Sequence, residues 1–468
     1  MTRQLRNLAK LVLRRPIFAP VWAWLLARRL KPLHKSGAPD ALRVLVFSAT
    51  RWGADMDALR RRAGVDFFAM HDDTCDKLKS LFMLTEAAVL GPWAKIHYFK
   101  ETDGRELRRR DKQQRFLARV LRSLKRQANL HVAITPAIHY RREFEWVGAS
   151  ELARLPMVAI HKEFTIIDDR HMPGRLARWN DRKFKYRGAH ICVVNEFAKR
   201  LFSDTEISRE ERISVTGMLR LDEILQENSP YRQIAERPRP MVTLFSFAHL
   251  MGDFEDSMET RNVYFSLNGD EGFIDLFREV HVAFAKLAIA RPDVDFVIKA
   301  KNVTDGWREE IDHVLRPALR KSISDIPNLE WSKTPALMLL RDSTAVIAFN
   351  SSVVLESRVL DRPTILPLFA EAMHPHSFQA YFLPFRDVFA VADSAETMVS
   401  LVERCLAGEK IMLENQQRLT EMIEYYGGRS DARNAERVVD VLRRYAAAYG
   451  RTQDVAAQQT GAVTAARR

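Results

Sequence analysis

Short apolar runs separated by longer amphipathic stretches recur along most of the chain. In the first half, Arg43-Val-Leu-Val-Phe-Ser48, His131-Val-Ala-Ile-Thr135, Met157-Val-Ala-Ile160, Ala189-His-Ile-Cys-Val-Val194 and Ile213-Ser-Val-Thr216 read as strands. In the second half, Pro240-Met-Val-Thr-Leu-Phe-Ser246, Val294-Asp-Phe-Val-Ile298, Pro327-Asn-Leu-Glu-Trp331, Ala345-Val-Ile-Ala-Phe349 and Thr364-Ile-Leu366 do the same. Most are continuously apolar rather than alternating, the pattern of strands covered on both faces. Helical periodicity fills the spaces between them. Residues 106–130 carry Phe116, Leu117, Val120, Leu121 and Leu124 on one side, and 273–290, 334–340, 353–360, 395–407, 409–426 and 431–449 are the later helical stretches. Strands alternating with helices predict an α/β protein with parallel sheets. A polar stretch, Gln226 to Pro240, contains Pro230, Pro238 and Pro240 and divides the series in two.

The predicted organisation is a basic amphipathic segment over 1–37, one α/β domain over 38–228, a second over 229–449, and a small, polar, structureless tail over 450–468. A chain of 468 residues is long enough for two sizeable cores. The net charge of +13 calls for an anionic partner, either a phosphorylated substrate, a membrane surface or nucleic acid. Nucleic acid is disfavoured, because the arginines are spread over helices without interleaved aromatic platforms. Cys75, Cys192 and Cys405 have no metal-like spacing and read as buried thiols in a reducing compartment. No Gly-x-Gly-x-x-Gly occurs, so a dinucleotide fingerprint is missing.

Near the N-terminus, Arg14-Arg15 and Arg28-Arg29 bracket an apolar run bearing Trp22, Trp24, Leu25 and Leu26. The run is too short to span a bilayer. It suits either an anionic membrane interface or packing on the protein's own domain. The basic side of the 106–130 helix reads as a solvated face, with anionic lipid or polymer as the other reading.

The most informative stretch is Ala345 to Pro367. Its strand is followed at once by Asn350, Ser351 and Ser352, which are turn and N-cap residues, then by a helix, a break at Asp361-Arg362-Pro363 and a second strand. Hydroxyls and backbone N–H groups meet there at a helix N-terminus beyond the carboxyl end of a strand. Open α/β sheets bind ligands at that place, and the site favours phosphate.

Asn350-Ser-Ser-Val-Val-Leu-Glu356, followed by Asp361-Arg-Pro-Thr-Ile-Leu-Pro367, resembles the donor segment of GT-B glycosyltransferases. Ser214-Val-Thr-Gly-Met-Leu-Arg-Leu-Asp222 resembles the Thr-Gly-x-Pro-Arg-x-Asp segment of the same enzymes, with Leu219 where the family has Pro. The nearest group is bacterial surface-carbohydrate and capsule transferases, with teichoic-acid-type glycerophosphotransferases beside it. The resemblance implies two Rossmann-like domains facing across a cleft, with helices at the C-terminal end crossing back to the first. It implies a nucleotide-sugar donor, a polysaccharide or lipid-linked acceptor, no metal and no other cofactor. It also implies a cytoplasmic enzyme, peripheral on the inner face of the plasma membrane. The donor phosphate would meet Asn350, Ser351, Ser352 and Arg220, and the ribose would meet Glu356. Lys299 and Lys301 would add charge if their strand lay beside the Ala345 strand. The family's Lys-x-His-Pro reads Lys299-Ala-Lys301-Asn302 here, which puts the donor type in question. An inverting transfer needs a base, and His161 or Glu163 at a strand end fits that role. His71-Asp72-Asp73 and His374-Pro-His376 are further places for chemistry. Two alternatives stand beside transfer of a sugar: polyol-phosphate transfer from a CDP-activated donor, and a non-catalytic scaffold of the same fold.

Overall fold

Sheets form where the apolar runs stand. The computed structural model describes residues 9–82, 104–140, 143–163, 168–170, 172–182, 184–247, 273–300, 305–373, 381–412 and 415–465. Two compact units divide the chain. The first comprises Met1–Phe164, Leu176–Arg220 and Arg433–Arg468, and the second Thr165–Arg175 with Leu221–Ala432.

The first unit holds β1 (Lys31–His34), β2 (Leu42–Val46), β3 (Val65–Ala69), β4 (Val132–Thr135), β5 (Met157–His161), β6 (His190–Val193) and β7 (Ile213–Val215). Their order is β1-β3-β2-β4-β5-β6-β7, parallel throughout except for β1. Val44, Val46, Val132, Ile134, Val158 and Cys192 share one buried cluster with Val438, Val439 and Leu442 of the last helix. Each such fully buried aliphatic side chain contributes about 1.5–3 kcal/mol of transfer free energy. That helix runs Asn434–Ala465, so its backbone continues through residues expected to form a structureless tail. Its start is fixed by Gly217 at φ 88°, where an added Cβ would lie 2.0 Å from Asn434 Oδ1. Asn434 Nδ2 donates to the Met218 carbonyl at 3.2 Å.

The N-terminal segment packs on its own unit. The helix Ala19–Arg29 turns Ala19, Ala23 and Leu26 inward, and β1 forms the sheet edge against β3. Residues 1–8 lie outside the described residues.

The second unit holds β8 (Met241–Phe245), β9 (Asp295–Lys299), β10 (Leu329–Trp331), β11 (Ala345–Ala348), β12 (Thr364–Pro367) and β13 (Ala390–Ala392). The order is β10-β9-β8-β11-β12-β13, parallel throughout. One expectation is corrected by this order. The Lys299 strand is not beside the Ala345 strand, because β8 pairs with both and separates them. Two Rossmann-like parallel sheets are what the resemblance to GT-B enzymes implies, and both are present.

Candidate functional site

In the second unit, β11 ends at Ala348 and Phe349 is buried beneath it. Asn350 then takes φ 45°, a left-handed conformation that asparagine tolerates better than most residues. Its side chain is already engaged: Oδ1 accepts from the Tyr381 N–H at 2.9 Å. The Tyr381 carbonyl accepts from Tyr426 Oη and, at 3.3 Å, from Arg170 Nη2. The peptide that Asn350 grips is therefore held from both sides. The left-handed turn leads into Ser351, the N-cap of the helix Ser352–Val359, whose Oγ accepts from Val353 N at 3.4 Å. Ser352 Oγ makes no hydrogen bond within the described residues. Both serines are half-buried.

Every residue from Val353 to Val359 is buried, so this helix has no solvent stripe. Glu356 is 2% exposed. Arg358 and Arg362 anchor the helix and the break after it. Arg358 donates to the Val388 carbonyl at 2.8 Å, and Arg362 to the carbonyls of Leu340, Tyr231 and Arg232. Gly427 comes close to Leu221, since a Cβ there would meet Leu221 Cδ1 at 2.6 Å.

Lys299 lies level with Phe245 and Ala348 across the sheet, two strands from the serine turn. At a strand spacing of about 4.8 Å the backbones are about 10 Å apart, more than a lysine side chain alone spans. Lys299 makes no ion pair among the described residues, and burial holds its ammonium below the usual lysine value. Between the two strands stands Ser246. Its Oγ contacts His281 Nε2 at 2.9 Å and accepts from Trp307 Nε1 at 3.2 Å. His281 Nδ1 lies 2.7 Å from the Phe277 carbonyl, which accepts, so the proton sits on Nδ1 and Ser246 donates to Nε2. Sequence reasoning missed this relay, although a histidine on the buried side of an amphipathic helix was a usable signal. Lys301, Asn302, His374 and His376 lie outside the described residues.

In the first unit a second cluster forms where β2, β4 and β5 end. Ser48 follows β2 at φ 47° and donates to Glu143, with both side chains buried. The Arg51 guanidinium stacks over the Tyr140 ring, 4.6 Å from its centroid. Tyr140 Oη donates to Glu163 Oε1 at 2.6 Å, and burial first, then the Glu163 charge, raises the tyrosine pKa above its ordinary value. Lys162 donates to the Arg51 carbonyl and lies 4.0 Å from Asp55. Arg220 closes the group, with Nε and Nη2 each 3.2 Å from a carboxylate oxygen of Asp55. His161 is 1% exposed, and its Nδ1 accepts from the Ile138 N–H at 3.2 Å. His139 and Phe202 set their rings edge-on to it. Lys162, Glu163 and Arg220 are thus drawn together with Tyr140 and Asp55, which the sequence did not single out. His71 stands apart, its Nδ1 3.1 Å from Thr74 Oγ1. Among the described residues no group of three or more His, Cys, Asp or Glu side chains is spaced to hold a metal ion.

No protein-family model matches the sequence, and no curated protein matches it either. Similar solved structures include the UDP-GlcNAc 2-epimerase of Methanocaldococcus jannaschii, at 12% identity over 86% of this chain and 99% of the other, with a TM-score of 0.45. A second is the UDP-GlcNAc 2-epimerase of Neisseria meningitidis bound to UDP-GlcNAc, at 11% identity, 86% and 100% coverage and a TM-score of 0.43. A third is the wall teichoic acid polymerase TagF, at 11% identity, 95% and 96% coverage and a TM-score of 0.47.

Proposed function

We propose that this chain is a metal-independent glycosyltransferase that moves a sugar from a nucleotide-activated donor to a polysaccharide or lipid-linked acceptor of the bacterial surface. The observation that carries the reading is the turn after β11. A left-handed Asn350, locked by its own side chain, delivers Ser351 and Ser352 to the start of a buried helix beyond the carboxyl edge of a parallel sheet. Such a helix start presents N–H groups and a positive dipole end to an anion, and serine is small enough for phosphate to approach the backbone. Negative charge grows on the leaving phosphate during transfer, so fixed donors there lower the barrier. Glu356, one turn further along the helix, is the candidate for the ribose hydroxyls. Lys299 supplies positive charge at the same sheet edge, and Lys301 extends that assignment beyond the described residues.

For the acceptor, the geometry favours Glu163 over His161 as the base. His161 is buried and its Nδ1 lone pair is already used by a backbone N–H, whereas Glu163 is half-buried and its Oε1 accepts from the Tyr140 phenol. A hydrogen-bonded carboxylate can still take the proton of an approaching hydroxyl.

Calorimetric titration of CMP, CDP, UDP and GDP into the wild type and Ser352→Val tests the donor assignment. Valine at the first helical position fills the space that phosphate needs without removing the Ser351 cap. We expect one nucleotide to bind the wild type and to lose at least tenfold in the variant. Equal binding to both proteins removes the donor site from this turn.

A further inference from the structure

The helix Ala19–Arg29 carries two apolar stripes where a docked helix needs one. Ala19, Ala23 and Leu26 face the protein. On the other side Val21 and Trp24 are 51% and 45% exposed, and Ile17, in the 3₁₀ turn Pro16–Phe18 that leads into the helix, is 77% exposed. These follow helical spacing, and the next position on the stripe is Arg28, whose guanidinium lies 4.0 Å from the centroid of the Trp24 ring. Residues 9–13 are also helical, and Leu11, Val12 and Leu13 are exposed. Trp22 Nε1 donates to the Leu13 carbonyl at 3.1 Å and so ties this turn to the main helix. The result is an apolar ridge held on a fixed base, with Arg14, Arg15, Arg28 and Arg29 at its ends. Isolated exposed apolar side chains are ordinary, but a contiguous ridge with cationic ends is not.

A groove of about 830 Å³ runs beside the ridge, between the helices Ala19–Arg29, Gly104–Gln127 and Phe144–Ala153. Arg119, Arg122, Lys125, Arg126 and Arg154 line it, and no acidic side chain does. Arg119, Arg122 and Arg126 are exposed and make no ion pair among the described residues. Lys125 is held by the Arg154 carbonyl at 2.9 Å, and burial lowers its pKa. Five cations around one groove repel each other, and an anionic occupant relieves that repulsion. Pro16, Ala19 and Pro20 form the wall that the groove shares with the ridge. Apolar contact and anion binding are therefore presented side by side. Among the described residues no helix is long and apolar enough to cross a membrane, so the ridge serves as an interfacial contact rather than a span.

We infer that this face of the first unit is a docking surface for an anionic phospholipid bilayer. The ridge residues Ile17, Val21 and Trp24 enter the headgroup and acyl boundary, and Arg119, Arg122 and Arg126 take lipid phosphates in the groove. The combination selects a bilayer over nucleic acid, because a duplex or single strand offers the arginines phosphate but gives the aliphatic ridge nothing to enter. The surface is separate from the nucleotide site proposed above and stands or falls without it.

Flotation of the full-length protein with vesicles of phosphatidylcholine alone, or of phosphatidylcholine with phosphatidylglycerol, tests the inference. Two variants accompany it, Arg122→Gln/Arg126→Gln for the groove and Ile17→Ser/Trp24→Ser for the ridge. All four positions are exposed, so each variant should fold, and circular dichroism checks that it does. Each cation near an anionic surface is worth about fivefold in partitioning, so the groove variant should float about 30-fold less with the anionic vesicles. The ridge variant should lose binding that salt does not reverse, and neutral vesicles should hold the wild type weakly. No flotation with anionic vesicles overturns the proposal, and so does equal flotation of the wild type and both variants. Wild-type binding to duplex or single-stranded DNA that survives the ridge substitutions and displaces the vesicles would assign the groove to nucleic acid instead and overturn it too.

Discussion

Replacing Asn350 separates holding the proposed donor turn from contacting the donor. Its side chain accepts the Tyr381 N–H at 2.9 Å while its backbone sits at φ 45°. Asn350→Ala removes both supports. The left-handed backbone costs alanine about 1 kcal/mol more than asparagine. Leaving the partly buried Tyr381 N–H without its acceptor costs about 1–3 kcal/mol. The sum, about 2–4 kcal/mol, lowers the unfolding temperature of a unit of this size by on the order of 5–15 °C. Asn350→Asp keeps a short acceptor and the tolerance for left-handed backbone, so its stability should stay near that of the wild type. It also adds a negative charge beside the proposed phosphate. A unit charge about 6 Å from another at an effective dielectric of 20 is worth roughly 3 kcal/mol, on the order of 100-fold in affinity. Scanning calorimetry reads the first effect and nucleotide titration the second. An alanine variant that melts with the wild type would mean that the side chain does not hold the turn. An aspartate variant that binds nucleotide as tightly as the wild type would mean that no anion sits there.

The first unit yields two further expected outcomes. Gly217→Ala places a Cβ against Asn434 at a left-handed position, so it should destabilise the protein by about 3 kcal/mol or more and open the last helix to limited proteolysis near Arg433; an unchanged digestion pattern would contradict the close approach. His190 is buried between Tyr445 Oη and Ser214 Oγ, and burial first, then Arg444 and Arg212, pushes its pKa down from 6.5 to about 4. Because the folded value is the lower one, the unfolded chain binds the proton first, and stability present above pH 6.5 is lost as pH falls toward 4, by about 3 kcal/mol. His190→Gln should flatten that part of the urea-stability profile, and an unchanged slope would show that another group carries it.

Strands buried on both faces announced themselves as apolar runs, and so did the strand–turn–helix unit at Ala345. The features that escaped the reading did so for identifiable reasons. β3 reads Val-Asp-Phe-Phe-Ala, and Asp66 interrupts its apolar run. That carboxylate is used, accepting from Ser36 N at 2.8 Å and Ser36 Oγ at 3.0 Å. β1 is Lys-Pro-Leu-His, tolerated only because an edge strand can accommodate proline. The helix Phe144–Ala153 is buried around nearly its whole circumference, with Glu145, Trp146, Val147, Gly148, Ala149 and Ser150 all inside, so it has no amphipathic period to detect. Strand order was beyond reach, because a parallel run carries no mark of its neighbour. This misplaced Lys299 by one strand while leaving its position at the sheet edge correct.

The two sheets solve the same local problem with opposite charge arrangements. In each, a central parallel strand is followed by a buried phenylalanine and then by a polar residue in left-handed conformation. These residues are Phe47 and Ser48 after β2, and Phe349 and Asn350 after β11. In each, that residue's side chain is spent on a hydrogen bond, Ser48 to Glu143 and Asn350 from Tyr381. The left-handed turn is therefore a device for leaving the sheet, and the residues beyond the turn decide the chemistry. After Ser48 come Arg51 and Gly53, with Asp55 drawing in both Lys162 and Arg220. A phosphate approaching Arg220 would have to displace a carboxylate that is 3% exposed, leaving that charge buried and weakly paired, which is strongly unfavourable. After Asn350 come two serines and a helix start, and the cation at that sheet edge, Lys299, has no acidic partner among the described residues. Positive charge that is neutralised cannot attract a donor phosphate, and positive charge that is half-buried and unneutralised can. On these electrostatics the second sheet is the better place for the proposed nucleotide. Arg220 is better understood as the residue that fixes Asp55 and the loop after β2.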